Sequence, residues 1–416
     1  MNTPLENNIT GNWKPRFFSI WIGQALSLIG SALTQFVLLW WITKTTESAS
    51  ALAIAGVMGL LPQALLGPLG GTLADRLSRR TIMIVADSIS AIAMVVMVYL
   101  FSSNQIALWH IYSLMFLRSS MQAFQSPAAA ASTSLLVPND WLPRVAGMNQ
   151  AMAGIMTIAA APLGALALAF LPFQGALMID VVTAVLGIVP LFMYAIPQTK
   201  RLETKTSVWT DFKEGLAYVK NRQGLLMLYG LLGLVVLTVM PTFALTPLLV
   251  KQHFGGGVNE VALMEGLAGI GMIAGGILIS LNPLFKKRIV TLLISFIISC
   301  GTVALTALAP SNALWLATIW WTLSGITFST GNAPMMAIIQ TSVPNQIQGR
   351  VLSLMTTVMG LAGPIGLAIA GPLGDAIGVR GVFIVGGTLS AIVCALGFFS
   401  SRLMQIETKE NHVQTN

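Results

Sequence analysis

The sequence predicts an all-α integral membrane protein in which twelve transmembrane helices form two related six-helix bundles. Three observations support this fold class: a shortage of charge, a series of long uncharged segments, and an internal repeat. Hydrophobic residues make up 55% of the chain and charged residues only 9%, whereas soluble domains contain about 25% charged residues. This composition excludes an ordinary soluble domain.

The uncharged segments define the helices. Each reaches the roughly 20 residues that an α-helix needs to cross about 30 Å of hydrocarbon. The uncharged segment 289–349 is too long for one crossing and contains the turn-forming sequence "APSN", so we divide it into two helices. The predicted helices span 17–42, 50–74, 81–101, 106–136, 144–170, 173–196, 224–250, 260–281, 288–309, 313–342, 349–376 and 380–403.

The basic residues predict the orientation. Twelve crossings place both termini on one side of the membrane, and 18 of the 22 Lys and Arg residues fall on that side. Only Lys44, Lys251 and Arg380 fall on the other side, and Arg118 lies within a helix. Because short cytoplasmic loops collect Lys and Arg, we expect both termini in the cytoplasm.

Other classes of function lack support. The net charge of +8 is a consequence of this topology and requires no nucleic-acid partner. Cys300 and Cys394 lie within predicted helices, which favours packing over a disulfide or a metal site. The first 16 residues lack the features of a secretory signal, so we expect the first helix to be retained. No nucleotide-binding or nucleophile motif is present, so we expect neither an enzyme nor a cofactor.

Two segments of similar sequence reveal the repeat. "LVPNDWLPRV" at 136–145 matches "SVPNQIQGRV" at 342–351, a displacement of 206 residues. Such repeats are typical of transporters built from two halves around a midplane site. We therefore expect bundles over 1–196 and 224–416. The linker 197–223 is expected to carry a short surface helix, because apolar residues recur there at helical spacing.

The stretch "GGTLADRLSRRTIMI" at 70–84 concentrates charge between two apolar helices. Its acid, Asp75, ends the second helix on the side where the eleventh begins, and a carboxylate beside a helix N-terminus gains up to about 2 kcal/mol. The corresponding segment of the second half has Ser280 in place of the acid. This asymmetry favours a gating role, although the arginines alone could serve topology. The predicted cytoplasmic gate comprises Gly71, Asp75, Arg76, Arg79, Arg80, Asp87, Arg144 and Arg350.

Charged residues inside the predicted helices are functional candidates. Each costs about 2.5 to 3.5 kcal/mol on insertion. Arg118 lies at about 18 Å depth and Asp180 at about 10 Å, by the 1.5 Å rise per residue, so we expect the two to form a proton-coupling unit. Glu265 is expected to be a second protonation or cation site, whereas Asp87 is assigned to the gate. A structural Arg118 reaching for an interface, or an Asp180 that only fixes packing, are the alternatives.

Polar side chains at helical spacing predict the substrate cavity. A stripe along the first helix and two glutamines after Arg118 should face water, although hydrogen bonding between helices would give the same pattern. Methionines of the fifth helix would suit a pliable apolar pocket. The predicted cavity residues are Gln24, Ser27, Ser31, Gln35, Gln122, Gln125, Thr238 and Thr242.

These motifs resemble the major facilitator superfamily, whose loop between the second and third helices has the pattern G-x-L-A-D-R-x-G-R-R/K; here Ser78 stands at the usual Gly. The segments 12–35, 75–87, 116–128 and 349–371 are similar to the Mef-type macrolide efflux proteins among the drug:proton antiporters. The resemblance implies the major facilitator fold and a loop that clamps the two halves together at the cytoplasmic face. It also implies a basic residue in the fourth helix, as Arg118 provides.

The sequence therefore predicts a secondary exporter of lipophilic drugs, including cationic ones, such as macrolides, driven by proton antiport. Its expected partners are the small-molecule substrate, protons and membrane lipids, with no cofactor beyond the proton gradient and a monomeric state. One alternative is an exporter of a natural lipid, siderophore or other metabolite. Another is an uncoupled lipid scramblase, for which buried charges at Arg118 and Asp180 have no obvious use.

Overall fold

The computed structural model describes residues 13–196, 208–281 and 287–406. The described parts are helical almost throughout. The helices are α1 (Trp13–Thr46), α2 (Ala49–Arg76), α3 (Arg79–Ser102), α4 (Leu108–Leu136), α5 (Leu142–Phe170), α6 (Phe173–Met193), α7 (Val208–Asn221), α8 (Gln223–Phe254), α9 (Val258–Leu281), α10 (Arg288–Leu308), α11 (Leu314–Ser342), α12 (Asn345–Gly397) and α13 (Ser401–Met404).

The helix α12 is two transmembrane helices joined at a sharp kink. Gly378 has φ 80° and ψ 152°, a conformation that a residue with a Cβ rarely adopts. The two parts correspond to the separate helices predicted over 349–376 and 380–403. Within the described residues nine helices, counting α12 once, are long and apolar enough to cross a membrane. The helices α4 and α11, of 29 residues each, are also long enough to cross a membrane. With α12 counted as two helices, the total is the predicted twelve.

The helix expected in the linker is present as α7. Its far end is held by hydrogen bonds from the Tyr218 hydroxyl and the Arg222 guanidinium to the carbonyl of Ser342 on α11. One face is buried through Val219, which is 1% exposed. The helix α7 therefore packs against other helices of unit 2. The side chain of Trp209, which helped to predict it, lies outside the described part.

The chain divides into two compact units, which we call unit 1 (Met1–Leu38 and Met58–Thr204) and unit 2 (Leu39–Val57 and Lys205–Asn416). In unit 1, α3 packs against α4 and α6. Its core includes Phe17, Met83, Val145 and Leu191, each at most 2% exposed. In unit 2, α10 packs against α11 and α12, α8 packs against α12, and α9 packs against α11.

A close crossing of α1 and α6 positions the site. A Cβ added at Gly23 would lie 2.8 Å from the Leu186 carbonyl oxygen, and one added at Gly30 would lie 3.2 Å from the Cα of Asp180. The first distance is too short for a side chain, and a Cβ at Gly30 would also clash with Oγ1 of Thr183. Glycine at these two positions therefore lets the α1 backbone pass directly beside Asp180, which brings the α1 polar stripe to the carboxylate.

Candidate functional site: a charged cavity in unit 1

A buried ion pair forms the centre of unit 1. The Nη2 atom of Arg118 on α4 lies 2.7 Å from Oδ2 of Asp180 on α6. Ser31 on α1 joins the two: its hydroxyl donates to Oδ1 of Asp180 at 3.0 Å and accepts from Arg118 Nη2 at 3.0 Å. Three helices thus contribute one side chain each. The contact expected from the depths of Arg118 and Asp180 is present, and Ser31 belongs to it.

The pair differs in its access to solvent. The side chain of Asp180 is 3% exposed and that of Arg118 is 14% exposed. Two opposite charges held together in a medium of low polarity stabilise each other strongly, and removal of either partner leaves an uncompensated charge. Arg118 is partly exposed and can be solvated in the cavity without its partner. The more deeply buried carboxylate of Asp180 therefore needs the ion pair more than Arg118 does.

A second network runs along the same cavity. Gln24 Nε2 on α1 donates to Oδ2 of Asp87 at 3.0 Å, and its Oε1 accepts from Gln125 Nε2 at 2.6 Å. Gln122 continues the network by donating to the Ser126 hydroxyl at 2.8 Å. The glutamine amides therefore have defined partners, so the walls of the cavity are held in one arrangement.

These side chains enclose a polar cavity of about 150 Å³, which we call the polar cavity. It is lined from α1, α2, α3, α4 and α6. Six residues predicted from helical spacing line it: Gln24, Ser27, Ser31, Gln35, Gln122 and Gln125. Gln63, Ser90 and Ser119 also line it. Gln63 is an isolated polar residue with no polar partner one turn away, so helical spacing did not indicate it.

A larger, mostly apolar cavity of about 280 Å³ adjoins the first, and we call it the apolar cavity. Phe17, Trp21, Met152 and Met156 contribute to its walls. The indole of Trp21 donates to Asn149 at 2.8 Å, which ties α1 to α5 across the opening. The two cavities share Gln24, Leu28, Gln122 and Gln125 as lining residues. Unit 1 therefore presents adjoining polar and apolar compartments.

The predicted gate arginines make contacts within unit 1. Arg79 donates to the Ala131 carbonyl at 2.7 Å, and Arg80 donates to the carbonyls of Leu191 and Phe192 at 2.5 and 3.0 Å. They thereby tie the start of α3 to α4 and to the last turn of α6, where carbonyl groups lack helical partners. Arg76 is exposed, and a Cβ at Gly71 would meet open space. The side chain of Asp75 lies outside the described part of the chain.

Two further gate candidates have partners that the sequence did not indicate. The guanidinium of Arg144 lies 4.9 Å from the ring centroid of Trp141, a cation–π contact. In unit 2, Arg350 forms an ion pair of 2.5 Å with Glu214 on α7. This contact attaches the linker helix to the start of α12.

Asp87 occupies a different place from the one predicted. It was assigned to the gate because it follows Arg80 by seven residues. In the structure its carboxylate lines the polar cavity, and its hydrogen bond comes from Gln24. The reason is helical geometry: seven residues span two turns, or about 10 Å, which carries Asp87 away from the arginines and into the bundle.

The two threonines predicted to line the cavity from the second half have hydrogen-bond partners within unit 2. Thr242 is fully buried, and its hydroxyl donates to the Val239 carbonyl of its own helix at 2.7 Å. Thr238 bonds to the Leu234 carbonyl and to the Ser390 hydroxyl. A threonine can satisfy its hydroxyl on the preceding turn, so helical spacing of threonines is weak evidence for a cavity. Glu265 lies beside Thr246 within unit 2.

The family follows from the comparison with known sequences. The Major Facilitator Superfamily model matches residues 20–367 and, in a second alignment, 254–414. The chain belongs to the major facilitator superfamily. This confirms the resemblance inferred from the 70–84 loop and agrees with the repeated organisation of the sequence. The protein is therefore a multi-pass membrane protein of a transporter fold.

Several relatives of this superfamily member are efflux proteins by name. Macrolide efflux protein A of Streptococcus pyogenes is 32% identical over 390 residues, which covers 92% of this chain and 96% of the relative. Macrolide efflux protein A of Enterococcus faecalis is 30% identical, with 77% of this chain and 99% of the relative covered. Multidrug efflux pump Tap of Mycolicibacterium fortuitum is 24% identical, with 91% and 94% covered.

Solved structures share the fold at low sequence identity. A mutant of the nucleoside transporter NupG aligns with a TM-score of 0.74 and 14% identity, over 93% of this chain and 99% of NupG. A bacterial homologue of the human lysosomal transporter Spinster aligns with a TM-score of 0.72 and 14% identity, over 96% and 98%. At these identities the likeness extends to the fold alone.

Proposed function

We propose that the protein is a secondary exporter in a bacterial cytoplasmic membrane, with both termini in the cytoplasm. It moves lipophilic drugs, including cationic ones such as macrolides, outward in exchange for protons. The single observation that carries the proposal is the buried Arg118–Asp180 pair on the wall of a cavity. The names of the relatives support the choice of substrate. A role in antibiotic resistance follows from that choice.

The pair is suited to proton coupling for an electrostatic reason. Burial favours the neutral form of a carboxyl group, whereas the adjacent guanidinium favours its charged form. A rearrangement of Ser31 or Arg118 that lengthens the ion pair would weaken the second influence. One proton taken up by Asp180 would then release Arg118 from its ion pair and free it to contact the cavity. Glu265 in unit 2 is the second candidate for a protonation site.

Transport by purified protein in liposomes tests the proposal. We expect erythromycin, a macrolide, to accumulate against its gradient only when a proton gradient is imposed, and substrate addition to release protons from the detergent-solubilised protein. Asp180→Asn should abolish coupled transport. Asp140→Asn is the matched control, because Asp140 is an exposed carboxylate outside both cavities. Transport at the same rate with and without a proton gradient would contradict antiport. Movement of lipid between the two leaflets of liposomes that contain the wild-type protein would favour the scramblase alternative.

A susceptibility panel in a host that lacks its own pumps tests the substrate class. Expression of the wild type should raise the inhibitory concentration of macrolides, and Asp180→Asn should remove that protection. If no drug is affected while a lipid or siderophore is exported, the metabolite alternative is correct.

A further inference from the structure

We propose that unit 1 binds its substrate as an amphiphilic organic monocation, with the ammonium group held by Asp87 and the apolar body in the apolar cavity. The inference rests on the proposed function and specifies its substrate class. It assigns different tasks to the two acids of the polar cavity, with Asp180 paired to Arg118 and Asp87 available to a ligand.

The charge balance of the polar cavity favours a ligand with one positive charge. Its lining contains three charged side chains, Asp87, Arg118 and Asp180. Arg118 and Asp180 neutralise each other across 2.7 Å. The cavity therefore carries one net negative charge, which resides on Asp87. A ligand with a single positive charge completes this balance, whereas a dianion or a dication does not.

The surroundings of Asp87 also favour a cationic ligand. Its carboxylate accepts one hydrogen bond, from Gln24 Nε2 at 3.0 Å, and no cationic side chain within the described residues lies within ion-pair distance of it. It is half-buried beside the cavity. An ionised carboxylate away from bulk water is costly unless it is paired. An ammonium group on the ligand would supply the missing partner, and Gln24 would hold the carboxylate in place to receive it.

The space beside Asp87 favours a ligand with a large apolar body. The partner of Asp87, Gln24, lines both cavities. A ligand whose charge lies at Asp87 therefore directs the rest of its structure past Gln24 into the 280 Å³ apolar cavity between Trp21, Met152 and Met156. Flexible methionine side chains and an indole accommodate bulky apolar groups of different shapes. A small inorganic cation would leave this second compartment without a partner.

Asp180 is a poor alternative for the same cation. Its side chain is 3% exposed, and both of its oxygens are already engaged, one by Ser31 and the other by Arg118. A ligand cation approaching it would also meet the like charge of Arg118. The two carboxylates thus differ in the property that matters for binding a cation, which is the presence of a resident positive partner.

Binding of two matched probes to full-length protein in detergent tests the inference. The first probe is erythromycin, which carries a tertiary amine. The second is its N-demethyl-N-acetyl derivative, in which the same nitrogen is an uncharged amide. Hydrogen bonds to charged groups contribute about 1.5 to 3 kcal/mol, so wild type should bind the amine at least about tenfold more tightly than the amide. Asp87→Asn should remove that preference by weakening only the amine, and Asp87→Glu should restore most of it.

The outcomes separate this inference from the proposed function. Wild type that binds both probes equally well, or Asp87→Asn that keeps the amine preference, would overturn the inference and leave macrolide export intact. Wild type that binds neither probe would overturn the proposed macrolide substrate as well. Asp140→Asn should bind both probes as wild type does. If Asp87→Asn does not fold, the wild-type preference and the Asp87→Glu variant decide the question.

Discussion

Arg118 and Asp180 are 62 residues apart in the sequence, yet their side chains meet at 2.7 Å and share the hydroxyl of Ser31. Each belongs to a different helix, so the contact requires α1, α4 and α6 to be packed together. A change in the charge of Asp180 would therefore act on all three helices at once.

The first prediction concerns the energy of the ion pair. Arg118→Gln should destabilise the protein more than Asp180→Asn, because it leaves a carboxylate that is 3% exposed without a counter-charge. Loss of one partner of a buried pair costs about 3 to 5 kcal/mol. The double variant Arg118→Gln/Asp180→Asn should lose less stability than the sum of the two single variants. Thermal unfolding in detergent measures all three.

A pH series provides the control for that measurement. Protonation removes the uncompensated charge, so Arg118→Gln should regain stability as the pH falls, whereas the double variant should show no such recovery. If the double variant instead loses as much stability as the two single variants added together at every pH, the pair makes no net contribution to folding.

The second prediction concerns the crossing of α1 and α6. Gly30→Val should separate the helices, because even a Cβ at this position would lie 3.2 Å from the Cα of Asp180 and would clash with the Thr183 hydroxyl. The separation should weaken the Ser31 contact and reduce proton-coupled transport. Overpacking of this kind typically costs about 1 to 3 kcal/mol. Gly67→Val is the matched control, because a Cβ there would meet open space, and it should leave transport close to wild type.

Helical periodicity specifies some features of the candidate site and not others. It gave the depth of Arg118 and Asp180 and the shared face of Gln24 and Ser31, because both follow from a fixed rise and turn per residue. It could not give the rotation of α3 about its own axis, which decides that Asp87 faces the polar cavity. That rotation depends on packing against α4 and α6, to which residues distant in sequence contribute.

Two other differences have local causes. The hydroxyl of Thr242 is satisfied by its own helix, an option that polarity patterns do not distinguish from a cavity-facing side chain. The partner of Arg350, Glu214, lies in a short linker helix 136 residues earlier. No spacing rule connects two such positions.

The third prediction concerns the gate and follows from the sequence. Asp75→Asn should shift the resting population towards the inward-facing state, because a neutral side chain gains less than a carboxylate from the positive end of a helix. The measurement is labelling, from the outer face, of a single cysteine introduced at that face after Cys300 and Cys394 are replaced. The introduced cysteine should be labelled less in Asp75→Asn than in the parent protein. Arg76→Gln serves as a comparison, because it changes an exposed charge of the same loop. Unchanged labelling and transport in Asp75→Asn would contradict a gating role.

The last prediction concerns the end of α2 that belongs to unit 2. Asp375 Oδ1 accepts from the backbone N–H of Ala49 at 2.8 Å, and the two carboxylate oxygens also lie 3.3 Å from the Ser48 hydroxyl and 3.3 to 3.4 Å from the Ser50 N–H. The carboxylate thus caps the first turn of α2 from another helix, where N–H groups lack helical partners. Asp375→Ala should lower stability by about 0.5 to 2 kcal/mol, the usual cost of losing an N-cap.

The comparison of Asp375→Asn with Asp375→Ala separates hydrogen bonding from charge. The amide oxygen of asparagine can still accept from Ala49, so Asp375→Asn should lose only the charge-dependent part, about 0.3 to 1 kcal/mol at an exposed helix end. The resulting order of thermal stability is wild type, then Asp375→Asn, then Asp375→Ala. Added salt should narrow the difference between wild type and Asp375→Asn, because it screens exposed charges, while the difference between the two variants should persist. Equal stability of Asp375→Ala and wild type would show that the cap contributes nothing, and α2 would then be held at this end by its apolar contacts alone.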